Sequence, residues 1–233
     1  MPAADQDQIA AALKQRTYSG EPDGVASEVL EQVRRAWEDH GYVKVEVYGS
    51  AKVLTSSPAS QRIAVNVQVD EGQQFRLRDV RFNNNREITN VAALRSLIPL
   101  NDGDIFDRAA ISKGLDNLRS AYLQMGHLNF TSIPNTQMDE GLPTISLVID
   151  VDEGKKFYVS SVSTIGLDDA ILKDSLLKRG EVYDQRLADM FVREHLPASL
   201  NGVSPESRIH LRLDERAGLV AVTFDFRPCP SEE

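Results

Sequence analysis

The sequence predicts an α+β protein of three tandem βααββ modules, each a three-stranded mixed sheet packed on two helices, with the first strand of module one missing. Two duplications carry the prediction. "VDEGQQF" at 69–75 returns 82 positions later as "VDEGKKF" at 151–157, each time between strand-like stretches. "RRAWEDHGYVKVEV" and "RSAYLQMGHLNF" place a helical stripe, a glycine and a new strand in the same order. Fixed-period self-similarity of this kind marks repeated supersecondary units.

The elements follow in chain order. "GVASEVLEQVRRAWEDHGYVKVEV" sets Val25, Val29, Val33, Ala36 and Trp37 on one helical stripe, followed by alternation at Val43, Val45 and Val47. Strict alternation at Ile63, Val65, Val67 and Val69, and again at Ile145, Leu147, Ile149 and Val151, reads as a strand with one buried face. After each Asp-Glu-Gly the pattern restarts, at Phe75, Leu77, Val80 and Phe82 and at Phe157, Val159, Val162 and Ile165. Short helices are expected at "NVAALRSLI" (Val91, Leu94, Leu97 and Ile98 inward) and "DAILKDSLL" (Ile171, Leu172, Ser175 and Leu176 inward). Longer ones follow "GDIFD" and "GEVYD", with Asp107 and Asp184 as N-caps. Gly41 and Gly126 sit where a helix ends in a left-handed residue. Copy three keeps its hairpin, Ile209, Leu211 and Leu213 with Val220, Val222, Phe224 and Phe226, while Pro197 ends its long helix. Expected modules are 1–72, 73–154 and 155–228, with a tail at 229–233.

Composition narrows the functional classes. At 41% hydrophobic and 26% charged the chain has globular composition and no long apolar run. The net charge of −9 is spread over all three modules, against nucleic acid as the main partner. The single cysteine, Cys229, can form no internal disulfide. The first residues contain no signal peptide, which leaves a cytoplasmic protein or a leader outside this segment.

Catalysis finds no support in the motifs. GxSxG, P-loop and GxGxxG patterns are absent, and His40, His127, His195 and His210 lack metal-ligand spacing, so neither cofactor nor metal is expected. Asp70 with Glu71 and Asp152 with Glu153 read as turn residues, because neighbours on a strand point to opposite faces. Trp37 and Tyr122 read as core; Tyr42 and Tyr48 are candidate exposed contacts. The turns make Glu71, Gly72, Glu153 and Gly154 candidate inter-module hinges. Within each sheet the last strand is expected in the centre and the strand after the helices at an edge, where unpaired N–H and C=O groups can accept an extended partner. Lys44 and Lys52 would blunt that edge in copy one, whereas "HLNFTSIPNT" in copy two is nearly uncharged.

These residues, "SAYLQMGHLNF" with "LVIDVDEGKKFYVSSVSTIG" and "RAWEDHGYVKVEV" with "VNVQVDEGQQFRLRDVRFNN", resemble the polypeptide-transport-associated (POTRA) domain over about residues 9–228. The resemblance implies a periplasmic, non-enzymatic array from an outer-membrane β-barrel assembly factor or a two-partner secretion transporter. Its implied partners are nascent outer-membrane polypeptides and accessory envelope proteins, with a β-barrel following in the parent chain and no direct membrane insertion by this segment. It also implies that polypeptide adds a strand at the edge after the helices: Val43, Val45 and Val47; Leu128, Asn129, Phe130, Thr131 and Ser132; and Arg208 to Leu213. Copy three departs from the pattern by lacking the helix-ending glycine and the closing Glu-Gly. The alternative class is a structural scaffold that docks folded envelope or cell-division proteins.

Overall fold

The computed structural model describes residues 1–56, 61–197, 200 and 202–228; Cys229 and the tail 229–233 lie outside them. The chain forms two compact units. One comprises Met1–Phe82, Ala92–Leu115 and Pro134–Ile149, the other Asn83–Val91, Asp116–Ile133 and Asp150–Glu233.

In the first unit α1 (Ala3–Lys14) and α2 (Pro22–Glu38) precede the antiparallel pair β1 (Glu46–Ser56) and β2 (Gln61–Asp70). Pro22 occupies the first turn of α2, where its missing N–H costs nothing, and the stripe Val25, Ala26, Val29, Val33 and Trp37 is buried. The helix ends as its sequence predicts. Gly41 takes φ +84°, the Tyr42 N–H donates to the Trp37 carbonyl at 3.1 Å, and the Gly41 N–H donates to that of Glu38. β1 and β2 form a two-stranded sheet among the described residues.

The next elements are β3 (Arg76–Asn83), α3 (Val91–Ser96), α4 (Arg108–Leu123), β4 (Thr131–Asp139) and β5 (Thr144–Asp152), with sheet order β3-β5-β4. α4 closes as α2 does: Gly126 has φ +84° and the His127 N–H donates to the Tyr122 carbonyl at 3.0 Å. In the second unit β6 (Tyr158–Ile165), α5 (Gln185–His195), β7 (Ile209–Asp214) and β8 (Leu219–Asp225) give order β6-β8-β7. β6 runs parallel to β8 and β7 antiparallel, so this sheet is mixed; the parallel pair needs the helical crossover between its strands. The N-caps predicted at Asp107 and Asp184 are formed, accepting from the Ala110 and Arg186 N–H groups at 2.9 Å.

The central strands are the core, as the alternation predicts. Ile145, Leu147, Ile149 and Val151 on β5 and Val220, Val222 and Phe224 on β8 are buried. Their counterparts Ile63, Val65, Val67 and Val69 are only half-buried, because β2 has one pairing neighbour and α1 buries no residue of its own.

Several expected details differ. The first helix of copy three is a 3-10 helix, Asp169–Asp174, so its inward register shifts: Leu176 is exposed and Leu177 buried, three residues per turn replacing 3.6. Val91, at the open start of α3, and Ile165, at the end of β6, are exposed rather than inward. Tyr42 is buried, not an exposed contact, while Tyr48 is 54% exposed.

Candidate functional site: edge strands and seams

β4 is one of the two edge strands of its sheet, and its sequence explains its openness. Phe130, just ahead of it, is buried and stacks on Tyr122 with ring centroids 4.4 Å apart, while Arg119 donates to the Phe130 carbonyl at 3.2 Å. From Thr131 onward burial ceases: Ser132 is half-buried, and Thr131 and Ile133 through Met138 are exposed, Ile133 at 63%. Pro134 lacks an N–H, which suits an edge rather than a central position. The strand carries no charge until Asp139, whose carboxylate receives Arg78 at 2.7 Å and the Gly141 and Leu142 N–H groups at 3.1 Å, closing the hairpin turn. The Arg78 hydrogen bond holds that carboxyl below the usual range.

Both candidate edges begin later than the alternation suggests. Val43 lies in a turn, Val45 and Val47 are buried against Val33, Trp37 and Tyr42, and pairing starts at Glu46. Likewise Leu128 and Asn129 form a turn and β4 starts at Thr131. Lys44 therefore lies ahead of β1; it pairs with Glu140 instead of blunting the edge. In copy three β7 occupies the edge at 209–214, preceded by the buried Arg208.

The Asp-Glu-Gly turns do more than reverse the chain. Asp70 and Asp152 accept from the Gly72 and Gly154 N–H groups at 3.3 and 3.1 Å, and both glycines are left-handed, at φ +64° and +63°. Glu71 Oε1 receives the Trp37 indole N–H at 3.0 Å, and Glu153 Oε1 receives the Tyr122 hydroxyl at the same distance. Glu153 Oε1 also accepts the Arg86 and Glu87 backbone N–H groups at 2.7 and 2.8 Å, fixing the loop after β3. Burial first, then this carboxylate, pushes the Tyr122 phenol well above its ordinary value. The signal missed in the sequence was an aromatic with a polar atom four residues before the helix-ending glycine in both copies. Copy three has Pro228 where the glutamate would stand.

Each unit contains one seam of the same construction. In the first, the Phe75 N–H donates to the Gly41 carbonyl at 2.8 Å, the Phe106 N–H to that of Phe75 at 2.9 Å, and the Gln74 side chain to that of His40 at 2.9 Å. In the second, the Phe157 N–H donates to Gly126 at 2.9 Å and the Tyr183 N–H to Phe157 at 3.0 Å, while Asn129 and Lys155 reach Glu215. The approach needs glycine. A Cβ on Gly41 would lie 2.8 Å from the Phe75 oxygen, and one on Gly126 2.7 Å from Val182 Cγ1.

Among the described residues no group of three His, Cys, Asp or Glu side chains could hold a metal ion, and no helix is long and apolar enough to cross a membrane.

An edge strand held on a small α+β module, repeated along the chain, defines a tandem-module protein, and the comparisons name the module. Residues 75–154 match the POTRA family, described as the surface antigen variable number repeat. A Treponema pallidum (strain Nichols) protein, assigned by name only to outer membrane protein assembly, is 27% identical over 159 residues, 66% of this chain and 19% of its own length. Outer membrane protein assembly factor BamA of Buchnera aphidicola subsp. Acyrthosiphon pisum (strain APS) is 22% identical over 184 residues, 76% of this chain and 28% of its own. The chain thus spans under a third of each relative. The crystal structure of Haemophilus influenzae BamA POTRA3-5 has the same fold, with a TM-score of 0.66 at 16% identity, covering 97% of this chain and 90% of that one. Residues 75–154 thus match one POTRA module, and the chain as a whole has the fold of a run of about three such modules and is similar in sequence to outer membrane protein assembly factors.

Proposed function

We propose that the chain is a non-enzymatic periplasmic array that receives extended outer-membrane polypeptide and helps present it for assembly or translocation, by strand addition at its module edges. β4 is the principal edge, with β1 and β7 secondary. The observation that carries this reading is β4 itself: an edge strand of nine residues, uncharged before Asp139 and open on both faces. Such a strand invites pairing unless it is blunted, and only Pro134 blunts it. Its partners are nascent outer-membrane polypeptides and accessory envelope proteins, delivered to a β-barrel of the parent chain. Weak binding is expected, because ordering an extended chain costs entropy that one added strand only partly offsets. Titration of outer-membrane-protein peptides followed by backbone amide shifts tests it. Perturbations should cluster in Thr131–Asp139 and Glu46–Ser56; shifts spread over the helices would sink the mechanism.

The seams favour a second reading, a scaffold that docks folded envelope or cell-division proteins. Glu71, Gly72, Glu153 and Gly154 would then serve as stiff corners rather than loose hinges, since their side chains and carbonyl neighbours are already engaged. A pull-down recovering a folded lipoprotein but never unfolded barrel precursors would favour it.

A further inference from the structure

His127 occupies the position after the helix-ending glycine that Tyr42 holds in copy one, and it is 4% exposed. Its Nδ1 lies 3.0 Å from the Glu153 carbonyl oxygen. A carbonyl only accepts, so Nδ1 carries a proton. Nε2 is buried without a hydrogen-bond partner among the described residues, and points at Glu87 Oε2 from 3.8 Å. A buried acceptor facing a carboxylate is unfavourable; a proton on Nε2 turns the same geometry into an ion pair.

The surroundings fit that change. The ionisable groups around the ring are Glu87 from the loop after β3, Lys156 ahead of β6, Tyr122 from α4 (rings edge-on, 5.7 Å apart), and Glu153, whose carboxylate is engaged by Tyr122. Lys156 binds Glu87 through Oε1, leaving Oε2 to the imidazole, so both cations can pair at once. The Lys156 hydrogen bond holds the Glu87 carboxyl below its usual range against the opposing effect of burial, so Glu87 stays charged where imidazoles titrate.

We propose that His127 is a protonation-sensitive lock on the seam between copies two and three, closed by an imidazolium–Glu87 pair. The ring follows directly on Gly126, whose carbonyl receives the Phe157 N–H, so tightening the ring tightens that seam bond. The sign follows from the charges. A proton on Nε2 completes the pair, so the lock strengthens as pH falls, and it is lost again once Glu87 itself is protonated. The seam at Gly41 has a tyrosine in the equivalent place and no such lock.

Amide hydrogen exchange by NMR tests this within one molecule, comparing the Phe157 amide with the Phe75 amide at pH 7.5 and pH 5.5. The protection of Phe157 relative to Phe75 should rise severalfold at the lower pH. E87Q, a half-exposed position, should abolish the rise while leaving the fold intact, and H127Q should do the same. A flat ratio in the native chain, or a rise that survives in E87Q, overturns the proposal.

Discussion

The Tyr122 hydroxyl donates to Glu153 at 3.0 Å, and the Trp37 indole N–H donates to Glu71 at the same distance. In two copies, then, the turn that closes the module is latched to the end of its long helix by one charge-assisted hydrogen bond. This latch explains why an apparently plain turn sequence is repeated with its glutamate intact.

Removing the hydroxyl while keeping the ring tests the latch. Y122F should retain the stack on Phe130 and lose about 1.5–3 kcal/mol, the range for hydrogen bonds to a charged group. E153A should lose more, because the Arg86 and Glu87 N–H groups lose their acceptor as well. Urea unfolding measures both; an unchanged midpoint for Y122F would contradict the latch.

A glycine outside the seams and one within them separate strain from crowding. Gly103 has φ +91°, and a Cβ added there would meet nothing within 4 Å, so G103A should cost about 1–2 kcal/mol, the left-handed penalty alone. G126A carries the same penalty and also drives a Cβ to 2.7 Å from Val182 and 3.0 Å from the Phe157 oxygen. It should therefore be clearly more destabilising in the same unfolding experiment. Equal losses would mean that the seam yields without resistance.

A charge on the open strand should cost binding and little else. Thr136 and Gln137 are exposed, so T136K and Q137K should leave stability within about 0.5 kcal/mol. Calorimetric titration with an extended outer-membrane-protein peptide should show weaker binding to both. Undiminished affinity would remove β4 from the account.

Acid titration probes the end of β8. Asp225 is buried and receives the Arg227 side chain and backbone N–H, and the side-chain bond holds its carboxyl far below the usual range despite the opposing effect of burial. A depressed carboxyl stabilises the fold above the unfolded value, near pH 3.9, and that contribution is lost as pH falls towards the folded value. D225N should be less stable than the parent at pH 7, and the difference should shrink below about pH 4. A pH-independent difference would contradict the assignment.

How far the sequence reaches is clearest at the two ends of each edge strand. Period-two alternation continues unbroken through Val45 and Val47, yet Val45 belongs to a turn, its N–H bonded to the Tyr42 carbonyl at 3.1 Å, as the Phe130 N–H is to that of His127. Burial and pairing are separate properties, and only burial leaves a periodic trace. Gly41 and Gly126 were legible because a left-handed helix end demands glycine locally. The Glu71–Trp37 and Glu153–Tyr122 latches were not, since partners 34 and 31 residues apart meet only once the module has folded. The 3-10 turn at Asp169–Asp174 was missed for a related reason: six residues are too few for a period of 3.0 to be told from 3.6.

Main-chain pairing at β4 is the central claim, and blocking peptide N–H groups tests it most directly. A bound strand offers alternate N–H groups to β4 and turns the others away. Two N-methylated versions of one binding peptide, each blocking one alternate set, should therefore differ: one should lose binding and the other retain it. Equal affinities for the two peptides, matching the unmethylated one, would contradict strand addition.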